Sequence, residues 1–546
     1  MDSDPPPPSS FWTVGELVSM LMEFLDKKSL SACARVSKMI SEHALDVLYR
    51  TGPEILDIIK LLCPEIQRAG EGSITQDITP FQWSRFRHYS SRIRILRHSG
   101  FGTNIPFALR GSICDLLDSL SPDGGALPLF PSLKKLIVEE DLPMRYPIIL
   151  PLLHDGLKTL SLTLSHIDYC DLLGEIVHKA PNLERLSLRD GCGFLISGVL
   201  KPTPPTADAI LSLSSLRSLS ISSILLTPEV MEMLASRPRL SELSTCSYRF
   251  HIRHRNVSSE ESIPFPLPKF PQLTELYISS KSLMGHGRCI FQASNLTALI
   301  VVFTDGTPAG AATELISASF ALLKDLAIKF FEPRLRGDIM PPTLTREAID
   351  PLLRLKFLEV LIIEHPQPPR VNDYDLGRVA ISLPNLRCFQ LCARGFVSAE
   401  YELPTLRCLL PFAQHCRKLK TFGISVDASD AVPPVHRAHI PFSHSLDTMI
   451  LYSSKIGTET SRVVNFLASI LPPHALLRHI VSPKEMFIEE SSVVVGCWWS
   501  NNHFSAKGSL RKVKTWSAVA AALVLLRHGP SSKNWHPHSL ATSRPL

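Results

Sequence analysis

The sequence predicts an α/β fold: a small helical module followed by a solenoid, its curved parallel sheet backed by helices on the convex side. Three observations carry this. A leucine-x-x-apolar-x-apolar pattern returns through most of the 546 residues. The intervals between copies read as amphipathic helices. Ahead of the array, residues 15–50 show helical periodicity over a length that closes only a marginal core.

The repeat comes first because it covers most of the chain. Its copies are PSLKKLIV (131–138), DGLKTLSL (155–162), PNLERLSL (181–188), SSLRSLSI (214–221), PRLSELST (238–245) and PQLTELYI (271–278). They continue as SNLTALIV (294–301), ALLKDLAI (321–328), KFLEVLII (356–363), PNLRCFQL (384–391), RKLKTFGI (417–424) and HSLDTMIL (444–451). The twelve anchors run from Leu133 to Leu446 at a mean spacing of about 28 residues, inside the range of leucine-rich repeats. In each copy the last two apolar residues alternate with polar ones, which makes a short strand with one buried face. Tyr169–Ala180 and Pro228–Arg237 carry apolar residues at helical spacing, and a last helix is expected at 463–471. A strand and a helix cannot bury themselves alone, so neighbouring repeats must stack. Pro131, Pro181, Pro238, Pro271 and Pro384 sit where a helix ends and turns into the next strand, which accounts for much of the proline content.

The alternate strand positions face the open, concave side. They give the candidate target-binding residues Arg185, Arg189, Glu275, Tyr277, Ile300, Val302 and Ile362. The middle of the array is more apolar on this face than its start. Two readings stand: a binding patch, or strands that are covered or shifted in register by one.

The apolar fraction of 45% and charged fraction of 20% are those of a globular chain. A net charge of +6 is mild for this length and does not argue for nucleic acid. The twelve cysteines form no CxxC pair and read as buried thiols of a reducing compartment. The start, MDSDPPPPSS, has no signal-peptide pattern, and AVAAALVLL (518–526) is too short to span a bilayer. The expected location is intracellular, cytoplasmic or nuclear, with no membrane partner; the sequons at Asn256 and Asn295 are then chance matches.

Within the N-terminal module, three helical segments are expected near 15–25, 29–34 and 36–49, with Ser29 capping the second. GELVSMLMEFLDKKSLSACARVSKMISEHALDVLYR (15–50) resembles an F-box: Glu-Leu, an apolar helix, FLD-x-x-SL, CARVSK and ALDVLYR. QWSRFRHYSSRIRIL (82–96) resembles the linker of fungal F-box proteins with leucine-rich repeats. The resemblance implies docking on a Skp-type adaptor, and through it on a cullin. Carried over by position, it implies adaptor contacts at Val14, Glu16, Leu17, Leu21, Phe24, Leu25, Leu30, Cys33, Val36 and Ser37. The chain departs from the family at Gly15 and His43, where proline is usual, and at Tyr49, where tryptophan is common. Gly15 weakens pre-organisation of the first turn.

The expected organisation is a disordered tail (1–11), the F-box-like module (12–50), a linker and N-terminal cap (51–125), about twelve repeats (126–475), and an irregular C-terminal region with a disordered tail (476–546). No GxGxxG, P-loop, GxSxG or HExxH motif occurs. His251 and His254 form an HxxH among arginines, with no further ligand near in sequence. Cys388 and Cys392 share a strand face and read as packed thiols. No catalytic residue, metal or cofactor is expected. The sequence thus reads as the substrate-recognition adaptor of a cullin–RING (SCF-type) ubiquitin ligase with an unknown protein target. The alternatives are an interaction scaffold without ligase function and, supported only by the Arg-rich pieces 85–97 and 249–255, a nucleic-acid-binding array.

Overall fold

The computed structural model describes residues 14–62, 78–98, 128–143, 149–165, 169–190, 204–221, 228–244, 270–279, 293–303, 308–330, 343–365, 368–393, 402–429, 432–436, 439–452, 454–479, 516, 518–520 and 522–523. The expected tail at 1–11, the His251/His254 pair and nearly all of 480–546 lie outside the described residues. Two compact units make up the chain, 1–264 and 265–546.

The first unit begins with α1 (Gly15–Glu23), α2 (Lys27–Cys33) and α3 (Lys38–Leu48). Asp26, not Ser29, caps α2: its carboxylate accepts the Ser29 N–H at 2.7 Å. Ser29 lies inside the first turn, because Asp26 already holds the extended backbone that a cap requires. Ser37 caps α3 by accepting the Ile40 N–H at 3.3 Å. Then come α4 (Ile55–Ile59) and α5 (Pro80–Ser90). Thr79 and Gln82 form a capping box ahead of α5, and Pro80 stands in its first turn. Six strands follow: β1 (Ile95–His98), β2 (Lys135–Pro143), β3 (Thr159–Ser165), β4 (Arg185–Asp190), β5 (Ser218–Ser220) and β6 (Glu242–Ser244). They pair in parallel, in chain order. Between them run α6 (Tyr169–Lys179), α7 (Pro204–Ser212) and α8 (Pro228–Ala235). Arg237, just past α8, donates to the carbonyls of Ile210, Leu211 and Leu213 at the end of α7. One guanidinium thus satisfies the open carbonyls of the preceding repeat's helix.

The second unit holds β7 (Glu275–Ser279), β8 (Ala298–Phe303), β9 (Asp325–Phe330), β10 (Val360–His365), β11 (Cys388–Ala393) and β12 (Thr421–Ile424). Beyond them lie β13 (Asp427–Ala428), β14 (Thr448–Leu451), β15 (Lys455–Ile456) and β16 (Leu476–His479). β13 pairs with β15 alone; the others form one parallel sheet in chain order. Its helices are α9 (Ala309–Ser319), α10 (Arg346–Ile349), α11 (Asp373–Ser382), α12 (Leu409–His415) and α13 (Thr460–Ile470).

Register settles the repeat. The residue two after each anchor aligns across each sheet: Lys135, Thr159, Arg185, Ser218 and Glu242 in the first unit. In the second the same row is Glu275, Ala298, Asp325, Val360, Cys388, Thr421 and Thr448. All twelve copies share one phase, and the residue after each aligned position (Leu136, Leu160, Leu186, Leu219, Leu243, Leu276 and Leu299 among them) is buried, so the one-residue shift is excluded. Each unit is a leucine-rich-repeat stack. Two further strands continue the phase. Ile95 pairs with Lys135, which puts Ile93 in the anchor place, and Leu476 pairs with Thr448, which puts His474 there. The sequence pattern missed both because isoleucine and histidine replace the leucine. β1 falls in the stretch read as linker and cap, and β16 lies just past residue 475.

The phase has a backbone cause. The carbonyl one residue after an anchor accepts two N–H groups from the next repeat. Lys134 accepts from Lys158 and Thr159, both at 2.9 Å, and Lys324 from Glu359 and Val360 at 2.7 and 2.9 Å. Turn to turn, the Asn182 side-chain amide donates to the Asp155 carbonyl at 3.1 Å and that of Asn295 to the Pro271 carbonyl at 2.7 Å. The anchors are at most 2% exposed. Burying one leucine is worth about 1.5–3 kcal/mol, so the anchor column is a main source of stability. In the second unit, rings take over part of the core: Phe389 lies 4.8 Å from Phe412 and 5.7 Å from Phe422 between ring centroids.

The C-terminal region is less loose than its composition implies. Trp516 is fully buried and donates its indole N–H to the Ser454 carbonyl at 3.2 Å. Val519 and Leu523, three and seven residues on, are buried as well, so one helical face packs here.

Candidate protein-docking surfaces

The N-terminal module has a small core of Val18, Met22, Leu30 and Ala44, with Leu25, Cys33, Ala34, Ile40, Val47 and Leu48 packed against it. That core uses one stripe of α1. A second stripe, Val14, Leu17, Met20 and Phe24, stays open to solvent, with Phe24 84% exposed. Spacings of three and four place these residues on one helix face. Val36, just before the cap of α3, and Met39, in its first turn, are exposed too. Among the described residues of the first unit, Phe81 is the one other large exposed apolar side chain. Scattered exposed leucines need no explanation, but such a concentration at one end of a chain does.

The ten residues expected at the adaptor contact divide by burial. Val14, Leu17, Phe24 and Val36 are exposed, and so are Glu16 and Ser37. Leu21, Leu25 and Cys33 are half-buried. Leu30 is 3% exposed and belongs to the core, so it is not available for contact. Ser37 has a structural task as the cap of α3. Met20 and Met39 were missed, although a stripe drawn through Leu17 and Phe24 at helical spacing passes over Met20.

The two departures from the F-box pattern near α1 meet in space. A Cβ on Gly15 would lie 3.4 Å from the His43 ring, and His43 Nδ1 is 2.8 Å from Ser19 Oγ. Imidazole therefore fills the space beside a residue without a side chain. Tyr49 packs on Tyr89 of α5, with ring centroids 4.8 Å apart. Arg92 donates to the carboxylates of Glu42 and Asp46, and the Arg50 carbonyl accepts from Arg94 and Ile95, both at 3.0 Å. The module is thus tied to the first strand of its own unit.

The second surface is the outward row of each sheet. Arg185 is exposed and reaches Glu242 at 3.5 Å, two strands away. Arg189 stands in β4, and its side chain lies outside the described residues. In the second unit Tyr277, Ile300, Ala327 and Ile362 form one lateral row, each beside the next. Tyr277, Ile300 and Ile362 are half-buried, and Glu275 is exposed. Val302 departs from expectation: it is 9% exposed, in line with Lys329 and Glu364, which are also buried and 4.0 Å apart. The third outward row is therefore closed here, while the first two stay partly accessible except at Ala327, which is buried.

Among the described residues, no group of three His, Cys, Asp or Glu converges as metal ligands would. No described helix is long and apolar enough to cross a membrane. Cys33, Cys388, Cys408 and Cys416 are free thiols. Burial pushes Cys388 up to about 11 and Cys416 up to about 12, far from the activation a nucleophilic thiol needs.

No family model and no curated protein matches the chain. Among solved structures, a leucine-rich-repeat protein of Leptospira interrogans is similar at 16% identity, over 78% of this chain and 94% of its own, with a TM-score of 0.31. The repeat assignment stands on the strand register.

Proposed function

We propose that this chain is a protein-recognition subunit, of the kind that joins a target to a cullin–RING ubiquitin ligase. The N-terminal module docks on a Skp-type adaptor, and the outward rows of the sheets hold a protein target. The chain does no covalent chemistry. It raises the effective concentration of the target beside the transferring enzyme. The observation that carries the reading is the open apolar stripe of α1, with Val36 and Met39, on a module whose own core is already closed. The F-box resemblance gives that stripe its partner. The test is binding of the full chain to a purified Skp-type adaptor, with Leu17→Asp and Phe24→Asp as controls. Loss of binding in both supports the docking reading; no binding by the folded wild type rejects it.

A second reading, an interaction scaffold without a ligase, keeps the repeat surface and drops the docking. Gly15 favours it, since glycine in the first turn of α1 stands where the F-box pattern has proline.

A further inference from the structure

The outward positions of the first unit differ in chemistry from those of the second. Taken strand by strand from β1 to β6, the residue before each strand and the first two outward residues read Arg94-Ile95-Arg97, Lys134-Lys135-Ile137, Lys158-Thr159-Ser161, Glu184-Arg185-Ser187, Arg217-Ser218-Ser220 and Ser241-Glu242-Ser244. Seven cations stand here against two carboxylates. Both carboxylates are already engaged: Glu184 with Lys158 at 3.3 Å and Glu242 with Arg185 at 3.5 Å. Arg94, Lys135 and Arg217 have no counter-ion among the described residues, and Arg94 and Arg217 are exposed. Alongside runs a hydroxyl row, Ser161, Ser187, Ser220 and Ser244, aligned across four adjacent strands and half-buried. The surface combines fixed positive charge with regularly spaced donors, and the positions named here include no aromatic ring for stacking a base.

We infer that the outward face of β1–β6, together with the edge at which those strands begin, binds an acidic segment of a partner protein, laid across the strands in extended form. The inference rests on reading the repeat sheets as the target-binding surface, and is independent of adaptor docking. Charge complementarity selects the occupant: the excess cations attract carboxylates, and the serine hydroxyls donate to their oxygens or to peptide carbonyls. Strands about 4.8 Å apart put the row from β1 to β5 at about 19 Å, the reach of about six extended residues. A nucleic acid shares the negative charge but would want stacking side chains, which the row lacks.

The experiment uses the full chain and a labelled peptide of alternating Glu and Ser, read by fluorescence anisotropy. A Gln-Ser peptide of equal length and a single-stranded oligonucleotide serve as comparisons. The acidic peptide is expected to bind at least tenfold tighter than the neutral one and to weaken as salt is raised. Arg94→Gln with Arg217→Gln is expected to weaken it by about tenfold, two exposed ion pairs each within their usual worth, with no change in thermal midpoint. Lys135→Gln alone gives a second readout if the double variant folds poorly. Equal binding of acidic and neutral peptides, no binding of the acidic peptide, or variants that bind like the wild type would overturn the inference. An oligonucleotide that binds tighter than the peptide would overturn it in favour of nucleic acid. Adaptor binding measured on the same preparation reports separately on the docking module.

Discussion

The hydroxyl of Tyr452 donates to Oε1 of Gln390 at 3.1 Å, reaching from the end of β14 over β12 to β11. Gly423 lies between them and makes the reach possible. A Cβ there would stand 2.9 Å from Tyr452 Cε2 and 3.2 Å from Gln390 Cγ. Gly423→Ala is therefore expected to lower stability by about 1–3 kcal/mol, the usual cost of overpacking. Tyr452→Phe should cost only about 1 kcal/mol, for one lost hydrogen bond. Urea unfolding of both variants checks the order; a wild-type midpoint for Gly423→Ala would refute the close approach.

Substitutions on the two stripes of α1 should behave in opposite ways. Phe24→Asp and Leu17→Asp touch open positions and should stay within about 0.5 kcal/mol of the wild-type stability. Val18→Asp buries a charge in the closed core and should unfold the module, at a cost of several kcal/mol (roughly 3 or more). Circular dichroism and thermal melts separate the two classes, and adaptor binding by the folded pair then tests the stripe itself.

Arg92 gives a pH signature. Its hydrogen bond holds the Glu42 carboxyl below the usual carboxylate range; burial opposes this, and the charges of Arg92, His88 and Lys38 add to it more weakly. A carboxylate lowered in the folded state stabilises fully above its unfolded value, about 4.3, and loses that contribution as pH falls through the lower folded value. Arg92→Ala should remove about 0.5–1 kcal/mol near neutral pH, because the carboxylates are half-exposed. It should also flatten the stability profile below about pH 4. Chemical denaturation across pH 3 to 7 would show it; parallel profiles for variant and wild type would count against the contact.

The described thiols of the second unit should resist alkylation. Burial raises Cys388, Cys408 and Cys416, so little thiolate forms at pH 8. Iodoacetamide followed by mass spectrometry should leave all three unmodified in the native protein and modify them in guanidinium. Native-state labelling of Cys388, which lies on the outward face of β11, would mean that this face opens.

Trp516→Ala should cost about 3–5 kcal/mol, as for other large buried aromatics. Its indole bonds the Ser454 carbonyl, and the Ser454 hydroxyl in turn accepts the Val426 N–H at 2.9 Å. Hydrogen exchange should quicken first around residues 424–456, well before the array near β8 and β9.

Much of the repeat was legible because a leucine at a fixed offset is a strong and local signal. Twelve anchors read from sequence all fall in one register. The signal failed where another side chain takes the anchor place: Ile93 fills the same buried space, while His474 stands there exposed and the neighbouring Ala475 is buried instead. Open and closed outward positions were not legible: Ile300 and Val302 look alike in sequence, yet the second is buried beside Lys329 and Glu364. What covers a position depends on segments distant in the chain. The module shows the same limit. Helical spacing told apolar from polar, but could not tell the stripe of Val18 and Met22 from that of Leu17 and Phe24, since both are apolar. Trp516 was missed because a long-range partner, not local pattern, holds it.

The paired N–H bonds to a single carbonyl, which recur from repeat to repeat, separate two quantities that most folds couple. Consecutive anchors lie as little as 23 residues apart, from Leu273 to Leu296, and as much as 35, from Leu323 to Leu358, and the strands keep phase. Alignment is fixed where the chain enters each strand, and the excursion between strands is left free in length. Insertions and deletions there alter what the stack displays at its rim without reindexing its core. Such a chain can change its loops residue by residue while its frame keeps count.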